Sequence, residues 1–269
     1  MNVDGAAGAP RVHRSVREPL ILLLLMAAAL VISGFHPYDR VTWILEVFPI
    51  LLGVPVLVAT WRRFPLTPLL YRLLFLHALV LMVGGHYTYA RVPLGFWVQD
   101  LLGLARNHYD RLGHFAQGFV PAILAREVLI RRTPLRPGGW LFFLVTSVCL
   151  AVSATYELVE WWSAVIGGSA ANDFLGTQGD VWDTQWDMFI ALLGALTAQL
   201  TLRRVHDREL ATFSTDPEEI KRRAIAAIGR YRSDVTDLSR EHDHYLADAT
   251  PPPPADGSDP PPARESPRP

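Results

Sequence analysis

Cysteine is almost absent: Cys149 stands alone in 269 residues. A single cysteine closes no intramolecular disulfide. Set in the apolar run WLFFLVTSVCLAVSATY, it reads as a small packing residue. Lysine is equally scarce, with Lys221 the only one, so arginine carries the positive charge. No Lys or Arg falls between Ser163 and Leu202. Also missing are a phosphate-binding loop with Lys after its glycines, a nucleophile elbow, a haem motif, an HExxH zinc motif and any nucleic-acid module. These gaps remove the common nucleotide- and haem-dependent classes and leave no nucleic acid among the expected partners. No internal repeat is visible.

What fills the chain instead is apolar. Half of it is hydrophobic, and the formal net charge is only −1. The charges are unevenly placed: residues 20–202 are mostly apolar, while 203–269 are charged and rich in proline. That contrast excludes an ordinary soluble globule and predicts a membrane domain with a polar tail.

A helix crossing the hydrocarbon core needs roughly 17–25 mainly apolar residues. Six segments meet or approach that length, at about 20–35, 41–61, 67–87, 112–130, 140–160 and 186–202. The expected fold is all-α, a polytopic bundle of about six transmembrane helices, with the lipid bilayer as its first partner. The first segment follows the basic stretch RVHRSVRE and has the look of a signal peptide. Five further hydrophobic segments favour a retained helix. The expected divisions are a cytoplasmic N-terminus (1–19), the membrane domain (20–202), a cytoplasmic helical segment (203–250) and a disordered Pro-rich tail (251–269).

Arginine placement sets the expected orientation. Basic residues mark the N-terminus (Arg11, Arg14, Arg17), the second loop (Arg62, Arg63), the fourth loop (Arg131, Arg132, Arg136) and the exit of the last helix (Arg203, Arg204). The first loop has only Arg40 and the fifth has none. Arg91, Arg106 and Arg111 in the third loop form the one opposing vote. By the positive-inside rule both termini are expected in the cytoplasm. Beyond Ser214 the sequence STDPEEIKRRAIAAIGRYR opens like a helix, with Pro217 in its first turn. His242 and His244 read as a solvated helix end, and the tail from Pro251 is a candidate docking segment for a protein partner.

With that orientation, polar residues converge at the outer ends of four segments. The third segment ends at GGHYTYAR with His86. The fourth begins at NHYDRLGHF with His108, Asp110 and His114. The fifth ends at YELVEWW with Glu157 and Glu160, and the sixth is led by GDVWDTQWDM with Asp180, Asp183 and Asp187. At 1.5 Å per residue, Glu157 lies ~26 Å above Trp140 and Asp187 ~24 Å above Arg203, so the clusters share one depth. Asp110, His114 and Gln117 recur at i, i+4, i+7 on one helix face. Asp180, Asp183 and Asp187 follow i, i+3, i+7, while Glu157 and Glu160 are i, i+3 neighbours. Like charges so spaced repel, and protons, a bound cation, or Arg106 and Arg111 must compensate them.

Taken singly, each residue has a plainer reading. Asp180 or Asp183 caps a helix. His86 sits in an aromatic belt with Tyr87 and Tyr89, and Trp182 and Trp186 are anchors. Glu46 and His77 are interhelical hydrogen-bond partners. Taken together they form a candidate site, with His114, Asp110, Glu157, His86 and His108 as catalytic candidates. Glu157, Glu160, Asp180, Asp183 and Asp187 are candidate ligands for a divalent Mg²⁺, Mn²⁺ or Zn²⁺. Ionisable groups inside a membrane domain are costly and mark function by default. The Gly-rich stretch GGSAANDFLGTQG is expected to be a lid or re-entrant loop over them.

From His86 to Gln199 the chain resembles the YjdF-type family of bacterial inner-membrane proteins, through HYTYARVP (86–93), NHYDRLGHFAQGFVP (107–121), YELVEWW (156–162) and GTQGDVWDTQWDM (176–188). More distantly it is similar to VanZ-like proteins, in Asp110, Arg111, His114 and Phe115, in Glu157 and Glu160, and in an Asp-led last helix bearing GALTA. The first resemblance implies a bacterial inner-membrane location; the second implies a link to the cell envelope. Neither supplies a reaction. Three functions stay open: an enzyme acting on a lipid or lipid-linked envelope substrate, a non-catalytic scaffold docking partners through its tail, and an ion-coupled transporter.

Overall fold

The helix boundaries follow from local chemistry. Asp39 accepts a hydrogen bond from the Thr42 amide at 2.7 Å and starts α2 (Arg40–Thr60). That bond holds the Asp39 carboxyl below the usual carboxylate range. Pro68 opens α3 (Pro68–Tyr87), where a missing amide hydrogen costs nothing. The computed structural model describes residues 16–167 and 177–214. They contain seven α-helices: α1 (Arg17–Ser33), α2, α3, α4 (Pro93–Leu102), α5 (Tyr109–Arg132), α6 (Gly139–Gly167) and α7 (Asp183–Ser214), with a 3₁₀ turn at Tyr89–Arg91 and no strand among the described residues. The chain divides after Asp216 into two units, of which only the first is described. The expected tail helix, His242, His244 and the Pro-rich extension lie outside the described residues, as do residues 168–176 of the expected lid.

All six expected segments are helices, and α2, α3, α6 and α7 are each long and apolar enough to cross a membrane. The chain is a multi-pass helical membrane protein. Of the other two, α1 has 17 residues and packs on α3, with Glu18 paired to Arg72 at 2.5 Å. Helix α5 is long enough, but Asp110, Arg111, Arg126, Glu127, Arg131 and Arg132 crowd its two ends. Exposed Leu24, Val31, Leu52, Leu76, Phe143 and Leu200 cover the outer surface. In water such a face would aggregate; against acyl chains it is the solvated face.

Two boundaries differ from the sequence reading. The third loop carries a helix of its own, α4, between Pro93 at its first turn and Gly103, whose φ of 63° ends it. Its ten residues are too short to cross a bilayer, and Leu94, Trp97, Leu101 and Leu102 are exposed along it. The last helix, in turn, does not stop at residue 202 but runs unbroken to Ser214. RRVHDRELATF holds no Gly or Pro, and its side chains bond back to α3 and α5, so nothing ends the helix at the charge boundary.

The architecture centres on α5, which packs most extensively against α7 and also touches α3 and α6. The α5–α7 contact is backbone to backbone. A β-carbon added at Gly118 would fall 1.8 Å from the Ala191 carbonyl oxygen, and one at Gly194 2.2 Å from that of Phe115. Small residues let the two helices close, as membrane helices require when no hydrophobic effect drives their union. An apolar core of Leu70, Ala122, Ile123, Val145, Cys149 and Ala195 fills the space among α3, α5, α6 and α7. Cys149 is buried there, as expected.

At one end of this core lies a second polar group. Glu127 of α5 is fully buried and accepts from the Thr67 amide (3.1 Å), the Thr67 hydroxyl (2.7 Å), Arg131 (2.7 Å) and His206 Nε2 (3.1 Å). Arg126 donates to His206 Nδ1 at 2.8 Å and to Asp207 at 2.6 Å. Guanidinium only donates, so Nδ1 accepts and Nε2 carries the hydrogen given to Glu127. Glu209 accepts from the Leu69 amide at 2.8 Å, tying α7 to the start of α3. Every charge in this group has a partner.

Candidate functional site

At the opposite end, where α5 and α7 begin and α6 finishes, the polar residues meet differently. The approach is built by two loops that clasp each other. Asn107, nearly fully buried, uses its side-chain oxygen to accept from the Tyr109 amide and its side-chain nitrogen to donate to the Val92 carbonyl, both at 3.0 Å. The Gln178 side chain accepts from the Asn107 amide (3.2 Å) and donates to the Asn107 carbonyl (2.8 Å). Gln178 and Gly179 both have positive φ, turning the chain back toward α7. The Asp180 side chain then accepts from the Trp182 amide at 3.0 Å, and Asp183 begins the helix.

The stripe of acids on α7 divides at its first turn. Arg106 donates to Asp183 at 2.6 Å and lies 3.7 Å from Asp180, while Arg111 donates to Asp180 at 3.2 Å. Arg111 also stands over the Trp186 ring, 5.1 Å from its centroid. The two outer aspartates therefore have arginine partners, the third of the compensations considered from sequence. Asp187, one turn deeper, has no arginine among its described contacts. It is 2% exposed, and its Oδ1 has no hydrogen-bond partner.

Asp187 faces His114. From the imidazole, Nε2 lies 3.5 Å from Asp110 Oδ1 and 3.9 Å from Asp187 Oδ2; Nδ1 lies 3.0 Å from Gln117 Oε1 and 3.8 Å from Glu157 Oε1. Glu157 Oε1 has no hydrogen-bond partner either. Glu160 joins the same group, with ligand-capable atoms of His114, Glu157 and Glu160 all within 4.8 Å of one another. The helical spacing that put Asp110, His114 and Gln117 on one face thus produces a real contact line, and α6 and α7 supply the facing carboxylates.

Two members went unrecognised as site residues in the sequence. Tyr156 packs edge-on to the His114 ring, at 6.3 Å between centroids, and donates to Glu46 of α2 at 3.3 Å. Glu46 is 4% exposed and lies in the electrostatic reach of Asp110 and His114. The signal was present: a lone carboxylate inside the apolar helix RVTWILEVFPILLGVPVLVAT is itself a marker. Tyr156, beside an acidic pair in an aromatic-rich segment, carried no such signal.

The remaining candidates lie elsewhere. The His86 Nδ1 makes a 2.8 Å hydrogen bond with the Ser33 carbonyl, binding α3 to the end of α1, and no described contact joins it to His114. His108 sits before α5 near Arg106 and Arg111; burial and those two cations hold its pKa below the ordinary histidine value. The five carboxylates expected as one ligand set are thus split: Asp180 and Asp183 belong to the arginines, while Glu157, Glu160 and Asp187 surround the imidazole with Asp110.

A groove of about 460 Å³, lined by Trp182, Gln185, Trp186 and Phe189, runs along the first turns of α7 beside the arginine pair.

Residues 18–208 match a family described as predicted membrane protein (DUF2238), which takes in every described helix except the first residue of α1 and the last turns of α7. The chain is also 57% identical over 199 residues to the inner membrane protein YjdF of Escherichia coli (strain K12), an alignment covering 73% of this chain and 95% of that relative. No solved structure matches it.

Proposed function

We propose, for a chain that belongs to the DUF2238 family of predicted membrane proteins, that the His114 cluster is a catalytic site acting on a lipid or lipid-linked substrate of the cell envelope at the outer face of the inner membrane. The observation that carries this reading is the set of buried, hydrogen-bond-deficient carboxylates around one imidazole. A structural network closes its hydrogen bonds, whereas a reaction centre keeps atoms free for substrate. Glu157 Oε1 and Asp187 Oδ1 are free in that sense.

The outward orientation rests on arginine. Arg131 donates to the Pro65 carbonyl at 2.6 Å, so the loop holding Arg62 and Arg63, the end of α5 and the Arg203–Arg204 stretch of α7 gather at the end opposite the cluster. Positive charge concentrated there favours that end in the cytoplasm and the cluster outside. The substrate class rests on the rim. Trp182, Trp186 and Phe189 form an apolar groove suited to an acyl or prenyl chain. Chemically, His114, held by Gln117, serves either as a general base oriented by the carboxylates or, together with them, as a ligand for a divalent cation.

The test is a comparison of envelope lipids by mass spectrometry in cells carrying the wild-type chain, His114→Ala, or no copy. A lipid species that accumulates equally in the last two supports catalysis. Identical profiles in all three end the reading.

A further inference from the structure

We infer that Asp110, His114 Nε2 and Asp187 form a mononuclear site for a borderline divalent cation, Mn²⁺ or Zn²⁺. This deepens the reading above, on which it rests, by naming what the same cluster binds, and three observations carry it.

The first is the tautomer of His114. Gln117 presents its amide oxygen to Nδ1 at 3.0 Å, and an amide oxygen only accepts, so Nδ1 carries the hydrogen. Nε2 then faces Asp110 and Asp187. A ring whose second nitrogen is pinned by a carbonyl-type acceptor is the usual form of a metal-bound histidine. A positive charge, a proton or a cation, must stand between Nε2 and the two carboxylates, and the spacing decides between them.

The second is spacing. The arginine–carboxylate pairs Arg106–Asp183 and Arg126–Asp207 close to 2.6 Å and Arg131–Glu127 to 2.7 Å, and the other buried histidine–carboxylate pair, His206–Glu127, to 3.1 Å. Around His114 Nε2 the corresponding separations are 3.5 and 3.9 Å. That is too long for a charge-assisted hydrogen bond, which runs about 2.7–2.9 Å. Ligand atoms held about 2.1 Å from one cation lie roughly 3.0–3.4 Å apart on neighbouring vertices and farther when opposed. The three donor atoms lie within 4.8 Å of one another, as a shared ion requires.

The third is the unpartnered oxygen. Asp187 is 2% exposed, its Oδ1 has no hydrogen bond, and the nearby arginines are engaged by Asp180 and Asp183. A buried carboxylate that turns one oxygen toward Nε2 and leaves the other unpartnered is a cation ligand in chemistry and position. The mixture of imidazole with hard oxygens selects Mn²⁺ or Zn²⁺ over Ca²⁺, which takes oxygen alone.

The experiment uses the full chain purified in detergent, stripped with chelator, and titrated separately with Mn²⁺ and Zn²⁺. Spin resonance reads bound Mn²⁺, and elemental analysis reads both ions. One ion per chain is expected, with nitrogen coupling from a single imidazole in the Mn²⁺ spectrum. His114→Ala and Asp187→Asn should lose that ion, His86→Ala and His108→Ala should keep it, and Gln117→Ala should weaken it about 10–100-fold. Matching helicity and elution with the wild type verifies that a variant is folded. Gln117→Ala, which removes no ligand, keeps the question open to an answer should His114→Ala misfold. A wild-type chain that takes up neither ion overturns the site, as does binding unchanged in folded His114→Ala, Asp187→Asn and Gln117→Ala. An ion that binds while cellular lipids are unaffected supports the site and refutes only the catalytic reading. A lipid change without an ion does the reverse.

Discussion

The two ends of the bundle hold polar groups of similar composition and opposite completeness. Around Glu127 and His206 every donor has an acceptor, with bonds of 2.6–3.1 Å that join α3, α5 and α7. Around His114 and Asp187 the contacts open to 3.5–3.9 Å, and buried carboxylate oxygens remain without partners. Burial does not distinguish the groups, because Glu127 and Asp187 are both essentially inaccessible. Satisfaction does. A closed network fixes three helices in place, while the open one of the same residue types is where the proposed site lies.

The comparison breaks most visibly at Glu127. Glu127→Ala strands the Thr67 amide, His206 and Arg131 at once and should cost about 3–5 kcal/mol, read as a large drop in thermal midpoint or as loss of folded protein in detergent. Next is the helix contact that both ends share. Gly118→Ala drives a methyl into the Ala191 carbonyl and should cost about 1–3 kcal/mol in the same assay, while moving His114 away from Asp187. Asp187→Asn, at the open end, should change stability by less than about 1 kcal/mol or raise it, since it removes one of several like charges without orphaning a partner. If it destabilised the protein as much as Glu127→Ala, the two ends would be the same kind of network.

The smallest effect concerns pH. Burial, then Arg111 and Arg106, keep the His108 imidazole less basic in the folded chain than in the unfolded one. As pH falls from about 7 to 5 the unfolded chain gains this proton first, so stability falls with pH through that window. His108→Gln should therefore flatten the pH dependence of the thermal midpoint slightly, and a steeper dependence would contradict the assignment.

Much of this was legible in the residues. The six apolar segments became six helices because length and hydropathy leave a membrane chain few alternatives. The i, i+4, i+7 spacing of Asp110, His114 and Gln117 survived because a helix enforces it. Legibility failed where charge served two purposes. Arg131 sits in the basic stretch that orients the helix, and nothing local reveals that it also anchors Glu127, or that Arg126, inside the expected span, meets His206 80 residues away in sequence. Helix α4 hid inside a loop because ten residues between a Pro and a Gly give too short a signal to separate from a turn.

The order of residues alone therefore determined the membrane helices and the side chains that line each one, since both follow from periodicity and transfer energy along a single segment. Which of three aspartates on one stripe would meet an arginine and which would be left facing a histidine was decided only by packing. The close crossing of α5 and α7 at Gly118 and Gly194 sets that alignment, and one helical turn separates a neutralised acid from an open one.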